Sequence, residues 1–323
     1  MLSLIIPVFK NESCLERLFA ELIKLKDGLG DGIEVVFVVD GSPDRCLEIL
    51  QERIPSLPFQ AQLISLSRNF GSFAAITAGL EHGRGDYFAV LAADLQEPPE
   101  LIMQFLELLR EDQADIVFGH RSKRSDPWFT NVSSGLFWLV LRKFVISDIP
   151  PGGVDIFACS RGIRNRILHF SEANTNLIAL LFWMGFRRRF VTYERGPRLH
   201  GESSWTIAKK LRYCLDTIFN FTDLPVRVLL YAGMFGVGIA ALVAGIVLTS
   251  KFIGHIPVPG YAATVLAILF FGGLNSLGLG ILGQYLWLTL QNVRHRPNYI
   301  VALSEEHVFG CSGTLDSSGG KQV

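Results

Sequence analysis

Asp94 and Gln96 stand two residues apart in the stretch LAADLQEPPE, Leu91 to Glu100. An acid and an amide at that spacing can turn two oxygens toward one hard cation from the same side. The rival reading is a turn in which Asp94 is a cap and Gln96 is solvated, and on these two residues alone the turn is favoured. Their surroundings reverse that preference. Asp40, Gly41 and Ser42 in VVDGSPD supply a tight turn and another acid, and Arg68 with Asn69 follows an apolar run. Arg121, Lys123 and Arg124 in GHRSKRSD form a basic cluster with two readings, a solvated face or a phosphate holder. Asp155, in PPGGVDIFACSR, follows a Gly-rich lead-in to an apolar strand and is either a turn acid or a reacting group.

The elements that must position these residues alternate from the start. The pattern predicts a strand at Leu2 to Val8, a helix from about Ser13 to Lys26 and a strand at Glu34 to Val39, which is a βαβ unit. A helix at Asp44 to Gln51 and a strand at Gln62 to Ser65 follow. The next helix carries Ala74, Ala75, Ala78 and Gly79, small residues that allow close packing on a sheet. A strand at Tyr87 to Ala92 then runs into Asp94, and the prolines at 98 and 99 launch a helix reaching Glu111. A strand at Asp115 to Gly119 ends at the basic cluster. In an open α/β sheet of this kind the carboxyl ends of the strands form the ligand crevice, and Asp40, Arg68, Asp94 and Arg121 all fall at such ends.

Composition bounds the rest. The chain has 323 residues, 49% hydrophobic and 19% charged. With a mean hydropathy of +0.33 it is too apolar for an ordinary soluble protein. A formal net charge of zero argues against a nucleic-acid binder, which shows a basic excess. The five cysteines, at 14, 46, 159, 214 and 311, make neither a zinc pattern nor an even disulfide framework, and a reducing compartment fits them best. LSLIIPV, stopped by Pro7 and lacking a basic leader, reads as a first strand and not a signal peptide.

The apolar excess lies toward the C-terminus. Residues 228–249 and 262–283 are uncharged runs that each exceed the roughly 18 residues expected of a transmembrane candidate. Lys209, Lys210, Arg212 and Arg227 precede the first run, Arg294 and Arg296 follow the second, and only Lys251 lies between. That bias places both termini in the cytoplasm. Trp128 to Ile146 is apolar but broken by Arg142 and Lys143, so it reads as an interfacial helix or as a buried helix of the soluble domain. A juxtamembrane amphipathic helix is expected at 205–225. Glycines in both long runs permit close helix contacts and a homo-oligomer through them. The remainder, 293–323, is expected to be a cytoplasmic tail, disordered from about Ser304.

The segments IPVFKNE, VVDGSPD, LSRNFG, AADLQEPPE, GHR, PGGVDIFACSR and GFRRRFVTYERGPRLHGESS, with the two apolar runs, resemble the polyprenyl-phosphate glycosyltransferases of family two. These are relatives of dolichol-phosphate mannose synthase, and the bactoprenol glucosyltransferase type is the nearest in pattern. The resemblance covers about residues 1 to 300. It implies an α/β, Rossmann-like GT-A catalytic domain at 1–204, followed by interfacial helices and a two-helix transmembrane domain at 226–292 in a bacterial inner membrane. It implies inverting transfer of a sugar, foremost glucose from UDP-glucose, to undecaprenyl phosphate, with UDP released and Mg²⁺ or Mn²⁺ on the diphosphate. UDP-GlcNAc, UDP-arabinose derivatives and GDP-mannose stand as alternative donors.

The same resemblance assigns roles. Pro7, Phe9, Glu12 and Asp40 match positions that hold the nucleoside, and Arg68 joins them as a donor-site candidate. Asp94 and Gln96 match the metal motif, Arg121 the arginine after the fifth strand, and Asp155 the acid beside the acceptor phosphate. Arg195, Arg198 and Ser203, with Arg121, are the candidates for holding the lipid phosphate. Three departures accompany these matches. Val39 and Ala92 stand where the family carries a further acid, and Ser204 stands where it carries a lysine. One metal ligand is therefore missing, and a binding protein of weak catalytic power is the rival reading. A processive polysaccharide synthase is excluded by the lack of a Gln-x-x-Arg-Trp motif and by too few apolar runs.

Overall fold

The computed structural model describes residues 1–30, 32–121, 150, 154–170, 176–194, 224–252, 260–294 and 296–308. The chain divides into two compact units, one comprising Met1–Lys210 and Pro297–Val323 and the other Leu211–Arg296.

The first unit opens with β1 (Leu2–Val8), α1 (Leu15–Leu29), β2 (Ile33–Val39), α2 (Cys46–Arg53) and β3 (Gln60–Leu66). It continues through α3 (Ser72–His82), β4 (Tyr87–Val90), α4 (Leu101–Arg110) and β5 (Ile116–Arg121). Next come β6 (Val154–Ser160), α5 (Arg161–His169), α6 (Leu177–Trp183) and β7 (Arg188–Tyr193). After the second unit the chain returns to add β8 (Val301–His307). The eight strands form one sheet in the order β7-β5-β6-β4-β1-β2-β3-β8. β4, β1, β2 and β3 are parallel neighbours, β6 runs antiparallel between β4 and β5, and β8 is antiparallel to β3.

Strands buried on both faces are apolar throughout, and β2 (IEVVFVV) is the clearest case, with every residue buried. One face packs Leu4, Ile6 and Phe37 against Leu18 and Phe19 of α1, Leu50 of α2 and Phe105 of α4. The other packs Ile5, Val36 and Val38 against Ala75 and Ala78 of α3, Ile163 of α5 and Leu181 of α6. The small-residue face of α3 does lie on the sheet. A Cβ at Gly79 would come within 2.4 Å of Ile5 Cγ2, so the helix seats only because that residue is glycine.

Several boundaries differ from the sequence pattern. β4 stops at Val90 rather than Ala92, although Leu91 N still donates to Ile5 O. α4 begins at Leu101, because Pro98 and Pro99 form a turn whose carbonyls accept from Leu101 and Ile102. The tail is also corrected. Ser304 to His307 are part of β8, which pairs with β3 from Ala61↔His307 to Leu66↔Val301. The interfacial helix expected at about 128–146 and most of that expected at 205–225, with Lys123 and Arg124, lie outside the described residues.

The second unit holds α7 (Leu224–Phe252, 29 residues) and α8 (Tyr261–Val293, 33 residues). A Cβ at Gly236 would meet the Phe271 ring at 3.0 Å and one at Gly278 would meet Leu229 at 3.4 Å, so glycines let the two helices approach. Among the described residues no helix is long and apolar enough to cross a membrane, and the two expected spans are not established by the fold. The side chains of Val237, Ala240, Val243 and Ile246 to Leu248 lie outside the described residues, which interrupts the first run.

Candidate active site

The carboxyl edge of the sheet gathers the loops that leave β1, β2, β3 and β4, with the end of β5. The β1 and β2 loops are knitted together by Asp44. Its Oδ2 accepts from Glu12 N at 3.2 Å, and its Oδ1 accepts from Ser42 Oγ at 2.5 Å. Ser42 Oγ in turn accepts from Lys10 N at 2.8 Å, and Glu12 Oε2 accepts from Arg45 N at 3.1 Å. Burial alone would raise the Asp44 pKa, but hydrogen bonds from Ser42, from Cys46 and from backbone N–H groups outweigh it and leave the carboxyl below its ordinary range. Burial and the hydrogen bond to Asp44 push the Cys46 thiol up to about 12.

Asp40 is 3% exposed and acts as a clamp between loops. Its two oxygens accept from Phe70 N at 2.7 Å and Gly71 N at 2.8 Å, which fixes the loop between β3 and α3. Burial raises its pKa, and the two backbone donors and the Arg68 charge offset that only in part. The approach is tight. Gly41 has φ +56°, and a Cβ there would lie 2.3 Å from the Arg68 carbonyl carbon. Arg68 itself is exposed and lies over the Phe70 ring at 4.0 Å, facing outward as a cation on an aromatic plate.

Asp94, Leu95 and Gln96 leave β4 in a strained turn. Leu95 has φ 51°, a left-handed conformation that is costly for a branched, buried side chain. Gln96 N donates to Asp94 Oδ1 at 3.4 Å, so the turn reading is right for the Asp94 side chain. It is wrong for Gln96, which is 6% exposed rather than solvated. Its Oε1 is buried and has no hydrogen-bond partner among the described residues. A buried amide carbonyl left unsatisfied is costly and calls for an explanation. A hard cation supplies one, because it takes oxygen ligands of this kind and tolerates one or two carboxylates when phosphate completes its shell. Asp94 and Gln96 fit that requirement. No cluster of three His, Cys, Asp or Glu side chains suited to a metal occurs among the described residues.

The remaining candidates divide. Pro7 lies near the end of β1, and Phe9 follows it with Phe9 N donating to Asn11 Oδ1 at 3.0 Å. Glu12 is exposed on the first loop. Arg121 ends β5 beside Tyr193 of β7. Asp155 is the second residue of β6, and His120↔Val154 pairing puts that strand start at the carboxyl end of β5. The topology thus brings Pro7, Phe9, Glu12, Asp40, Arg68, Asp94, Gln96, Arg121 and the Asp155 backbone to one edge. The Asp155 side chain and Arg195, Arg198 and Ser203 lie outside the described residues. Asp44 and Ser42 carry no sequence signal of a site role, since only contacts across some thirty positions reveal them, and Glu97, 1% exposed beside Gln96, carries no sequence signal of burial.

Known proteins share this architecture and sequence. The chain is similar to a glycosyltransferase of Synechocystis, 34% identical over 302 residues, covering 93% of this chain and 94% of that one. It is 31% identical over 301 residues to the bactoprenol glucosyl transferase of Shigella phage SfV, covering 93% and 97%. Glucosyl-3-phosphoglycerate synthase from Mycobacterium tuberculosis has the same fold, with a TM-score of 0.50 at 16% identity over 68% of this chain and 79% of that one. The GT-A-like mixed sheet is therefore as expected. The sequence pattern described as "Glycosyl transferase family 2" matches residues 3–170, and the chain belongs to that family of glycosyltransferases.

Proposed function

We propose that this glycosyltransferase moves glucose from UDP-glucose to undecaprenyl phosphate, with inversion, at the cytoplasmic face of a bacterial inner membrane. The observation that carries the donor half is the buried Gln96 Oε1, without a partner among the described residues, close in sequence to Asp94 at the carboxyl edge of the sheet. Asp94 and Gln96 would hold Mg²⁺ or Mn²⁺, which lowers the cost of charge on the departing diphosphate. The structural neighbour from M. tuberculosis crystallised with Mn²⁺ and UDP supports this choice. Pro7, Phe9 and Glu12 line the nucleoside side, Arg68 meets the donor's anionic part, and Asp40 holds the loop that carries Arg68.

Two relatives from Shigella phages named as bactoprenol glucosyl transferases support the acceptor. A phosphate monoester has a second pKa near 6, so it is already a nucleophilic anion at neutral pH. One of its oxygens bonds to the anomeric carbon as the bond to the diphosphate breaks, and no proton must be removed. Arg121, Arg195, Arg198 and Ser203 are assigned to the acceptor phosphate, where they offset repulsion between two anions. Asp155 is assigned to orienting that phosphate.

The membrane assignment rests on the two uncharged runs, 228–249 and 262–283, and on the surfaces of α7 and α8. Leu230, Phe235, Leu242, Ile268, Phe270 and Leu286 are each more than half exposed, a surface that lipid suits and water does not. Gly233, Gly238, Gly272, Gly273 and Gly280 have open space beside them and are assigned to contacts with a second copy. The test is transfer of radiolabelled sugar from UDP-glucose, UDP-GlcNAc or GDP-mannose into polyprenyl phosphate, with Mg²⁺, Mn²⁺ or EDTA. Metal-dependent labelling from UDP-glucose is expected. UDP binding without lipid labelling from any donor would favour the weakly catalytic binding protein instead.

A further inference from the structure

The segment from Pro297 to His307 makes contacts that the glycosyl transfer described above does not use. It follows α8 directly in sequence, yet it belongs to the catalytic unit. Its first residues reach the donor side of the sheet. Ile300 O accepts from Ser67 N at 2.9 Å, at the start of the loop whose Phe70 and Gly71 N–H groups are clamped by Asp40. The Tyr299 hydroxyl donates to Glu81 Oε2 on α3, the helix that this loop begins. Tyr299 and Val301 pack on the apolar cluster that also takes in Phe70 and Phe73. Farther along, Gln51 Nε2 donates to Glu305 Oε1 at 2.9 Å, and Arg84 forms a two-pronged pair with Glu306, its Nη2 at 2.7 Å from Oε2.

These contacts span more than two hundred positions, and apart from the Gln51–Glu305 contact to α2 they gather on α3, the loop before it and Arg84 just after it. Tyr299 holds α3 near its end, Ile300 holds the loop before its start, and Glu306 holds Arg84 just beyond it. Edge strands without such ties tend to fray, whereas this one is pinned by side chains on both sides of its pairing register. The loop it pins carries Arg68, the exposed cation stacked on Phe70.

We propose that Tyr299 is a positioning residue for the nucleotide-sugar donor: through Glu81 and the neighbouring Ile300 carbonyl it sets the Ser67–Gly71 loop that presents Arg68. The inference rests on the donor-site reading given under Proposed function. Tyr299 does not touch the reacting atoms, so its effect falls on donor affinity and not on the chemical step.

Tyr299→Phe removes only the hydroxyl that Glu81 receives. Calorimetry with UDP and Mn²⁺ on the full-length protein in detergent should show Kd raised about fivefold, in the range of residues that act through a packed network. Donor KM should rise with it, while kcat and acceptor KM stay within about twofold of the parent values. Hydrogen exchange at the Phe70 and Gly71 amides should accelerate in the same variant without ligand. Glu81→Gln retains an acceptor oxygen for the tyrosine and should bind UDP like the parent. An unchanged UDP Kd, or donor and acceptor KM rising together with a lowered Tm, would overturn the proposal and leave β8 a merely structural strand. If the parent protein binds no UDP, the donor assignment fails instead, and exchange at Phe70 and Gly71 alone decides whether Tyr299 sets the loop.

Discussion

Glu34 and Gln96 are polar residues buried at opposite edges of the sheet, and their surroundings treat them in opposite ways. At the amino edge Glu34, 2% exposed, accepts from Ser3 Oγ at 2.6 Å, Arg84 N at 2.9 Å and Gln62 Nε2 at 2.6 Å. Ser3 Oγ accepts in turn from Gly85 N at 2.7 Å, and Arg161 and Arg164 donate to carbonyls between Leu80 and Gly85. That network is closed on itself. At the carboxyl edge Gln96 is buried with its Oε1 unmatched among the described residues, Leu95 is held left-handed, and Asp94 remains partly exposed. Burial of Glu34 with its donors therefore means stability, whereas the Gln96 carbonyl, without a partner among the described residues, has a free acceptor.

Substitutions at the two edges should separate these consequences. The largest effect is expected for Asp94→Asn, which should lower kcat/KM by about a thousandfold while leaving Tm within a degree or so, since the amide keeps an acceptor for the turn. A large fall in Tm with activity retained would place Asp94 in the stability class. Glu34→Ala should do the reverse, costing about 3 kcal/mol in denaturant unfolding because it strands buried donors, with turnover per folded molecule unchanged. Ala92→Asp supplies the acid that the family carries and should tighten Mn²⁺ binding about tenfold in the absence of nucleotide. A variant that binds Mn²⁺ no better would show that position 92 does not face the ion.

A smaller effect distinguishes the loops by pH. Asp44 has its pKa below the ordinary 3.8 in the folded protein, so its contribution to stability is present above that value and is lost as pH falls through the folded-state pKa. Asp44→Asn should lower stability near neutrality by about 1 kcal/mol and make the acid limb of the stability profile shallower. An acid limb of the parent's slope would mean that another carboxylate governs it.

Much of this contrast was open to reading from residues alone, and some was not. The apolar runs of β1 and β2 declare a buried parallel sheet, and Gly79 with Ala75 and Ala78 declares the close face of α3. Asp94 and Gln96 declare themselves by spacing. Glu34 does not, because a charged residue within an apolar strand reads as an exposed position until Ser3, Gln62 and Arg84 are brought around it. β8 escapes for a related reason: VALSEEH is short and acidic, and only pairing with β3 and the Arg84–Glu306 contact make it a strand. Asp44 likewise acquires its role from Glu12, a residue of another loop. Local pattern carries the strands and the strand-end chemistry, whereas contacts across long stretches of chain decide which polar groups are satisfied.

The central claim is that Asp94 and Gln96 form an incomplete cation site which the nucleotide completes. Titration of Mn²⁺ followed by electron paramagnetic resonance, with and without UDP, tests it directly. Weak binding of free Mn²⁺, tightened about tenfold or more by UDP and abolished by Asp94→Asn, is the result the account predicts. Mn²⁺ binding that is the same with and without UDP, or that survives Asp94→Asn, would contradict it.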